Sequence, residues 1–256
     1  MAASDYQPEA LVSRGTLADV YRARSPRGVV VLKVLRREHQ GSPAHRQQLL
    51  EEGELLASLS HPNVVTCLEV LDALPALVLE SVPGATVAAR VAAAPVPVDL
   101  ALRIARGVAA ALAYLHERDI VHHGVLPANV MVTPLGRVVL LDLSHGAWPG
   151  RRVTITRAPS LDNVPYACPE LWAGAQAGAP GDVYRLGVML AHLLAGAPPR
   201  LAGRPRLGQP HPGLALGRGV PAELAPVLAR LTAPNPADRP TAAQAGEVLA
   251  AVMTRA

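Results

Sequence analysis

A carboxylate on the apolar side of a predicted helix places the strongest constraint on how this chain folds. Residues 44–60 have a helical pattern in which Leu49, Glu52 and Leu56 follow one stripe, and Leu59 continues it. Burying an unpaired carboxylate is costly, so Glu52 requires a cation or hydrogen-bond donors from another element. A second charge of this kind is Lys33, the only lysine among 24 basic residues, in the β-branched and aliphatic run 29–35.

The composition limits the core and the class of protein. Half of the 256 residues are hydrophobic and 17% are charged, which excludes a disordered chain. Aromatic residues make up 3% and phenylalanine is absent, so leucine, valine and alanine have to fill the core. Strands in the first third and helices in the remainder predict an α+β fold.

Charge and cysteine content indicate the environment. The net charge of +4 comes with dispersed arginines, so we expect no nucleic-acid partner. No apolar run approaches the length of a membrane-spanning helix, so no membrane partner is expected. Cys67 and Cys168 lie far apart and outside any metal-ligand spacing, which favours a reduced, cytoplasmic protein.

The remaining elements follow from periodicity and from turn residues. Asp99 is interpreted as the cap of a helix that runs to about Glu117, with Ile104, Val108, Leu112 and Leu115 on its core face. The other predictions are strands over 64–71 and 75–80, a linker with a short helix over 81–97, a hairpin of 130–132 and 138–141, a buried helix over 186–195 ended by Gly196, no defined element over 200–220, and a last helix over 241–253.

Several short motifs occur in a fixed order along the chain. They are residues 13–21 (SRGTLADVY), 31–33 (VLK), 61–64 (HPNV), 120–129 (IVHHGVLPAN), 142–144 (DLS), 168–170 (CPE), 182–187 (DVYRLG) and 238–241 (DRPT). Each is weak alone, but together they resemble the protein kinase domain of the bacterial Ser/Thr type over essentially the whole chain.

The resemblance implies a two-lobed fold in a single domain, 1–256. A small β-rich N-lobe with one main helix would cover 1–80, a hinge 81–84, and a larger, mostly helical C-lobe 85–256.

It also implies a nucleotide site that is largely present. Lys33 would hold the α- and β-phosphates of ATP and be positioned by Glu52, while Asn129 and Asp142 would bind Mg²⁺. The glycine-rich loop keeps only Gly15, so we expect weakened ATP binding. The other positions that the family uses for the nucleotide are Ser13, Ala18, Val20, Leu79, Glu80 and Val82.

The residues that the family uses on the acceptor are absent. Gly124 stands at the catalytic aspartate, Leu126 at the lysine two residues later, and Asn163 at the activation-segment threonine. No Asp or Glu occurs from 120 to 141, so a small shift of the alignment cannot supply a carboxylate. His123 replaces the arginine that reads an activation-loop phosphate, which makes control through Thr154, Thr156 or Ser160 less expected.

Other matched positions are structural in the family. His122 and Asp182 would support the catalytic loop, and Glu170 would pair with Arg239.

Alternative interpretations remain for several of these residues. Lys33 could be a surface lysine, and His122 and His123 could be metal ligands or, for His123, a substitute base. Asp142 could only cap the loop that follows it. The arginines at 151, 152 and 157 fit a solvated face, or a docking or autoinhibitory role.

The predicted function is that of a pseudokinase that binds ATP weakly and regulates an unidentified protein partner. Nucleotide bridging Lys33, Asn129 and Asp142 would favour a closed arrangement that the partner reads. The alternatives are an active Ser/Thr kinase with slow transfer and a scaffold that binds no nucleotide. Small-molecule phosphotransferases share the fold but also need an acid five residues before Asn129, where Gly124 stands.

Overall fold

The computed structural model describes residues 5–94, 96–151, 161–203, 209, 211–215, 217 and 219–254, with only the backbone at 161–163. The chain divides into two compact units, Met1–Pro83 and Gly84–Ala256. The first is built mainly of strands and the second mainly of helices, which confirms the α+β prediction. No helix in the described ranges combines the length and hydropathy needed to cross a lipid bilayer.

The first unit contains one antiparallel five-stranded sheet in the order β1-β2-β3-β5-β4. The strands are β1 (Gln7–Arg14), β2 (Ala18–Ser25), β3 (Gly28–Leu35), β4 (Cys67–Leu71) and β5 (Ala76–Glu80). Val30, Leu32, Lys33 and Leu35 of β3 are buried, and β3 is the middle strand of the sheet. The strands predicted at 29–35, 64–71 and 75–80 are therefore confirmed, with β4 three residues shorter than expected.

One long helix, α1 (Pro43–Ser58), packs on this sheet. Its N-terminus is set by the side chain of Ser42, which accepts a hydrogen bond from the N–H of His45, and by Pro43 in the first turn. Gly53 faces β5, and a β-carbon there would overlap the side chain of Leu77. The missing side chain lets α1 approach the sheet closely, and the predicted apolar stripe is buried.

The second unit is organised around α3 (Val98–His116), whose predicted core face is fully buried. The prediction that Asp99 caps this helix is wrong. Pro97 has extended backbone angles and the helix begins at Val98, so Asp99 falls in the first turn. Its carboxylate pairs there with Arg103 at 2.9 Å, one turn along.

The linker predicted over 81–97 contains β6 (Ala85–Thr86) and the short helix α2 (Val87–Ala93). The predicted hairpin forms as β7 (Val130–Val132) and β8 (Val138–Leu140), and β6 joins it in a three-stranded sheet. Gly136 has a φ of 83° in the hairpin turn, a conformation that glycine adopts without strain.

The buried helix predicted from 186 is α5 (Ala179–Ala195), and it starts seven residues earlier than expected. The extra turns contain Gly181, Asp182 and Arg185, which have no apolar pattern although all three are buried. Gly196 ends the helix in the left-handed region at a φ of 71°, as predicted.

The rest of the second unit contains short strands and three further helices. Within the range predicted to have no defined element, β9 (Arg200–Leu201) pairs with β10 (Leu214–Ala215). The helices are α4 (Pro169–Trp172), α6 (Ala225–Leu231) and α7 (Ala242–Met253). Helix α7 confirms the last predicted helix and begins with a capping box between Thr241 and Gln244. The buried residues of both units are mostly leucine, valine and alanine, as the composition requires.

Candidate functional site

The structure places the only lysine of the chain against Glu52. The Nζ atom of Lys33 lies 2.8 Å from both carboxylate oxygens, and the two residues are 7% and 1% exposed. The interpretation of Lys33 as a surface residue is therefore wrong. Glu52 has the cation that its position on the apolar stripe of α1 requires, and loss of either partner would leave a buried charge uncompensated.

Residues assigned to the nucleotide in the first unit share one face of the sheet. Val20 pairs directly with Lys33, and Ser13 with Val20. Leu79 pairs with Val31, two residues before Lys33, so these side chains point to the same side. The sheet register thus places Ser13, Val20, Lys33 and Leu79 on one face, although each belongs to a different strand.

Two assigned residues at the end of β5 differ from this pattern. Glu80 pairs with Val30, so its side chain lies on the opposite face from Lys33. Its Oε1 accepts a hydrogen bond from the N–H of Thr66 at 3.0 Å, which ties the carboxylate to the first unit. Val82 is half-buried in the segment that follows.

Gly15 forms the tight turn between β1 and β2. Its N–H donates to the carbonyl of Ala18 at 3.0 Å, and a β-carbon on Gly15 would lie 2.6 Å from that oxygen. This position therefore excludes a side chain. Ala18 is buried, so its methyl group packs inside the unit, whereas Ser13 is exposed.

In the second unit, Asp182 holds the segment that matches the catalytic loop. Its two carboxylate oxygens accept the N–H groups of His122 and His123, each at 2.8 Å. His116 contacts the same carboxylate at 3.0 Å, and Arg185 lies 3.8 Å from it. Asp182 is fully buried in the first turns of α5, so these hydrogen bonds and the nearby Arg185 cation offset the cost of burying its charge.

His122 is a buried neutral histidine with both ring nitrogens in use. Its Nδ1 accepts the N–H of Gly124 at 3.0 Å, so Nε2 carries the proton and donates to the carbonyl of Leu141 at 3.0 Å. Burial lowers its pKa. Among the described residues no group of three or more His, Cys, Asp and Glu side chains is placed to hold a metal ion.

His123 is poorly suited to replace the catalytic base. Burial lowers its pKa to about 4, so the ring is neutral and weakly basic at neutral pH. Its backbone lies in the left-handed region at a φ of 59°. Its Nδ1 is buried and has no hydrogen-bond partner among the described residues.

Gly124 keeps the backbone geometry of a supported loop. Its N–H donates to His122, as described above, and its carbonyl accepts the side-chain amide of Asn129 at 2.9 Å. The N–H of Leu141 donates to the carbonyl of Asn129 at 2.8 Å, which places Asp142 one residue from this contact. The loop thus retains its hydrogen bonds although the carboxylate is missing.

Asn129 and Asp142 fit a magnesium ion by the chemistry of their donors. The amide nitrogen of Asn129 is used on Gly124, so Oδ1 is the atom left as an oxygen ligand. Mg²⁺ prefers oxygen ligands and is commonly held by one or two carboxylates together with phosphates. Asp142 has a φ of 64°, and its Oδ1 accepts the N–H of Ser144 at 3.2 Å, so it also caps the following turn.

The remaining acceptor-side positions are only partly described. Leu126 is half-buried and precedes a single 3-10 turn, Pro127–Asn129. The side chain of Asn163 lies outside the described part of the chain, as do Arg152, Thr154, Thr156, Arg157 and Ser160. Arg151 is described: its guanidinium stacks 4.3 Å from the ring centre of Trp148 and donates to the carbonyl of Ser144.

Glu170 and Arg239 form a two-pronged ion pair deep in the second unit. The guanidinium donates to both carboxylate oxygens, at 2.9 and 2.8 Å. It also donates to the carbonyls of Ala233, Pro180 and Pro234, and it lies 5.0 Å from the ring centre of Tyr184. Every side of the buried cation is therefore occupied, as a structural role requires.

Two residues of this site were missed by the sequence reasoning. Arg185 lies directly before the helix predicted from 186 and is 4% exposed beside Asp182, and His116 ends α3 against the same carboxylate. The available signal was an arginine directly before a long apolar run, comparable to the single lysine within the run 29–35.

We expect the folded state to lose stability in acid through Asp182. Burial alone raises the pKa of this carboxyl, but the hydrogen bond from His116 and the charge of Arg185 outweigh burial and lower the pKa to about 2. The contribution is present above the ordinary value of 3.8 and is lost as pH falls towards 2. Urea unfolding at pH 6, 4 and 3 measures it. The acid-dependent loss should shrink in Asp182→Asn, and an identical loss in both proteins would contradict the assignment.

Comparison with known proteins agrees with the motifs. A sequence model described as "Protein kinase domain" matches residues 6–248. Serine/threonine-protein kinase PknB of Mycobacterium leprae is 29% identical over 251 residues, which cover 91% of this chain and 40% of the relative. PknB of Mycobacterium tuberculosis is 30% identical over 253 residues, with the same coverage of 91% and 40%. Serine/threonine-protein kinase PrkC of Bacillus subtilis is 30% identical over 200 residues, 76% of this chain and 31% of the relative.

The chain spans 40% or less of the length of these relatives. The match nevertheless covers nearly all of the present chain, and it includes the Lys33–Glu52 pair, the loop held by Asp182 and the Glu170–Arg239 pair. The chain belongs to the protein kinase family.

Proposed function

We propose that this chain is a catalytically impaired kinase domain that binds ATP and Mg²⁺ weakly and regulates another protein. The observation that carries the proposal is Gly124 at the position where the family has its catalytic aspartate. The surrounding loop keeps its hydrogen bonds through His122 and Asn129, so the loss affects one function and leaves the scaffold in place.

The nucleotide part of the proposal rests on residues in both units. Lys33 and Glu52 form their ion pair in the first unit, and Asn129 and Asp142 in the second would supply oxygen ligands. When bound, Mg²⁺ would neutralise phosphate charge, and Lys33 would contribute an ammonium group to phosphate. An arginine would not replace this compact ammonium, which suits the retention of a lysine at this one position.

The regulatory part of the proposal follows from the fact that the phosphate-side residues are present while the acceptor-side residues are absent. The chain keeps the groups that would bind phosphate but lacks the carboxylate that would act on the acceptor. This combination favours a domain in which nucleotide binding changes the stability of the domain or its affinity for a partner. The partner would be a protein, because the dispersed charge gives no nucleic-acid surface.

A cytoplasmic setting is proposed because Cys67 and Cys168 are buried free thiols.

We expect Lys33→Met to remove the stabilisation by nucleotide. Thermal unfolding of the wild-type protein with millimolar ATP, with and without Mg²⁺, should show an increase in Tm that the variant lacks. Because the substitution leaves Glu52 buried without its cation, each variant is compared with its own ligand-free Tm. Glu52→Gln serves as a second variant, and Arg103→Met, in an exposed ion pair on α3, is the control that keeps the shift.

The same experiment tests the alternatives. No Tm shift in folded wild-type protein would contradict nucleotide binding and favour a scaffold that binds none. The intact Lys33–Glu52 pair also keeps open a slow Ser/Thr kinase, the activity named for the relatives. Transfer of radiolabel from ATP to protein that disappears in Lys33→Met would overturn the proposal of an impaired kinase.

A further inference from the structure

The turn between β1 and β2 has three successive carbonyls that accept hydrogen bonds from one segment. Arg36 donates from Nη1 to the carbonyl of Gly15 at 3.0 Å and from its backbone N–H to that of Leu17 at 3.1 Å. The Nε2 atom of His39 lies 2.9 Å from the carbonyl of Thr16. A carbonyl can only accept, so Nε2 carries the proton.

The two side chains are themselves held in place. Arg36 directly follows β3, and its guanidinium pairs with Glu38 at 3.1 Å. His39 ends a 3-10 turn, and its ring contacts that of His45 edge-on, with 4.3 Å between the ring centres. His45 belongs to the first turn of α1. The donors to the β1–β2 turn are therefore anchored to both the sheet and the helix.

These contacts fix the direction in which the turn presents its N–H groups. In a trans peptide the C=O and the following N–H point to opposite sides. With three carbonyls directed at Arg36 and His39, the N–H groups of Thr16, Leu17 and Ala18 point away from that segment. Successive N–H groups that face one side form the kind of concavity that binds anions.

We propose that Arg36 and His39 are positioning residues that hold this turn with its N–H groups presented to a phosphate. The inference rests on the nucleotide binding proposed above and deepens it. The family's loop relies on several glycines, and this chain keeps only Gly15. The hydrogen bonds from Arg36 and His39 to the carbonyls therefore hold the backbone conformation of a turn that lacks the other glycines.

Amide hydrogen exchange in the nucleotide-free protein tests the first half of the proposal. The N–H of Gly15, bonded to the carbonyl of Ala18, reports on the closed turn. Its exchange should accelerate about fivefold in Arg36→Ala and in His39→Ala, the loss expected for one hydrogen bond. Arg37→Ala is the matched control, since Arg37 is exposed in the same 3-10 turn. Unchanged exchange in both variants, or equal acceleration in the control, would overturn the proposal.

Titration with ATP and Mg²⁺ tests the second half. The affinity should fall about fivefold in each alanine variant. The affinity should recover in His39→Gln and Arg36→Lys, because both variants keep a hydrogen-bond donor. The free energy of unfolding is measured for each variant as well, since a purely structural defect would lower it together with the affinity. Unchanged affinity in the alanine variants would overturn the role towards phosphate. Faster exchange combined with no ATP binding by the wild type would support the role in the turn and refute the nucleotide proposal alone.

Discussion

Gly124→Asp should raise the rate of phosphoryl transfer by about 100-fold, the lower end of the contribution of a positioned general base. A β-carbon at Gly124 would lie 3.3 Å from the amide nitrogen of Asn129 and from the ring of His122, so these neighbours need to shift by only a few tenths of an ångström. The loop backbone is already fixed by Asp182. The measurement is radiolabel transfer from ATP to a generic acceptor protein such as casein.

Gly124→Asn is the matched control, because asparagine has nearly the same shape and cannot act as a base. We expect no gain in this variant, nor in Gly124→Asp combined with Lys33→Met. Adding Leu126→Lys and Asn163→Thr to Gly124→Asp should increase transfer further, since these positions complete the acceptor side. Equal rates for the aspartate and asparagine variants would show that the missing carboxylate is not what limits this chain.

Arg239→Ala should lower the free energy of unfolding by about 3–5 kcal/mol, the usual cost of breaking a buried ion pair. The substitution leaves the carboxylate of Glu170, whose side chain is 10% exposed, without its cation and removes donors from the carbonyls of Ala233, Pro180 and Pro234. Burial raises the pKa of Glu170, but the hydrogen bonds from Arg239 outweigh it and lower the pKa in the folded protein. Urea unfolding at neutral pH measures the loss.

The exposed pair between Arg103 and Asp99 provides the comparison within the same unit. Its side chains are 49% and 65% exposed, so Arg103→Ala should cost less than about 0.5 kcal/mol. Equal losses for Arg239→Ala and Arg103→Ala would show that the Glu170–Arg239 pair does not hold the second unit together.

Charged residues at apolar positions were the most informative part of the sequence. Glu52 on the stripe of α1 demanded a cation, and the structure places the only lysine there. Apolar periodicity also located the long helices and the central strands, because burial of one face imposes that period. The role of Lys33 towards a nucleotide stays a prediction, since spacing and pairing alone do not identify the ligand.

Exact helix boundaries and features that depend on distant contacts could not be read from the sequence. Asp99 looked like a cap, but Pro97 sets the helix start. The first turns of α5 gave no apolar pattern, because Asp182 and Arg185 are buried through interactions with one another and with the loop. The face on which Glu80 lies depends on the pairing register of β5 with β3, which a single strand does not encode.

Gly53 has a consequence for how the Lys33–Glu52 pair could respond to a ligand. At Gly53, the residue next to Glu52, a β-carbon would overlap the side chain of Leu77 in β5, so the packing there leaves no room for a side chain. Close packing therefore sets the distance between α1 and the sheet. Because Glu52 lies on the helix and Lys33 on the sheet, the same packing fixes the geometry of the ion pair. A nucleotide would meet an ammonium group already in position and would spend none of its binding energy on moving the helix.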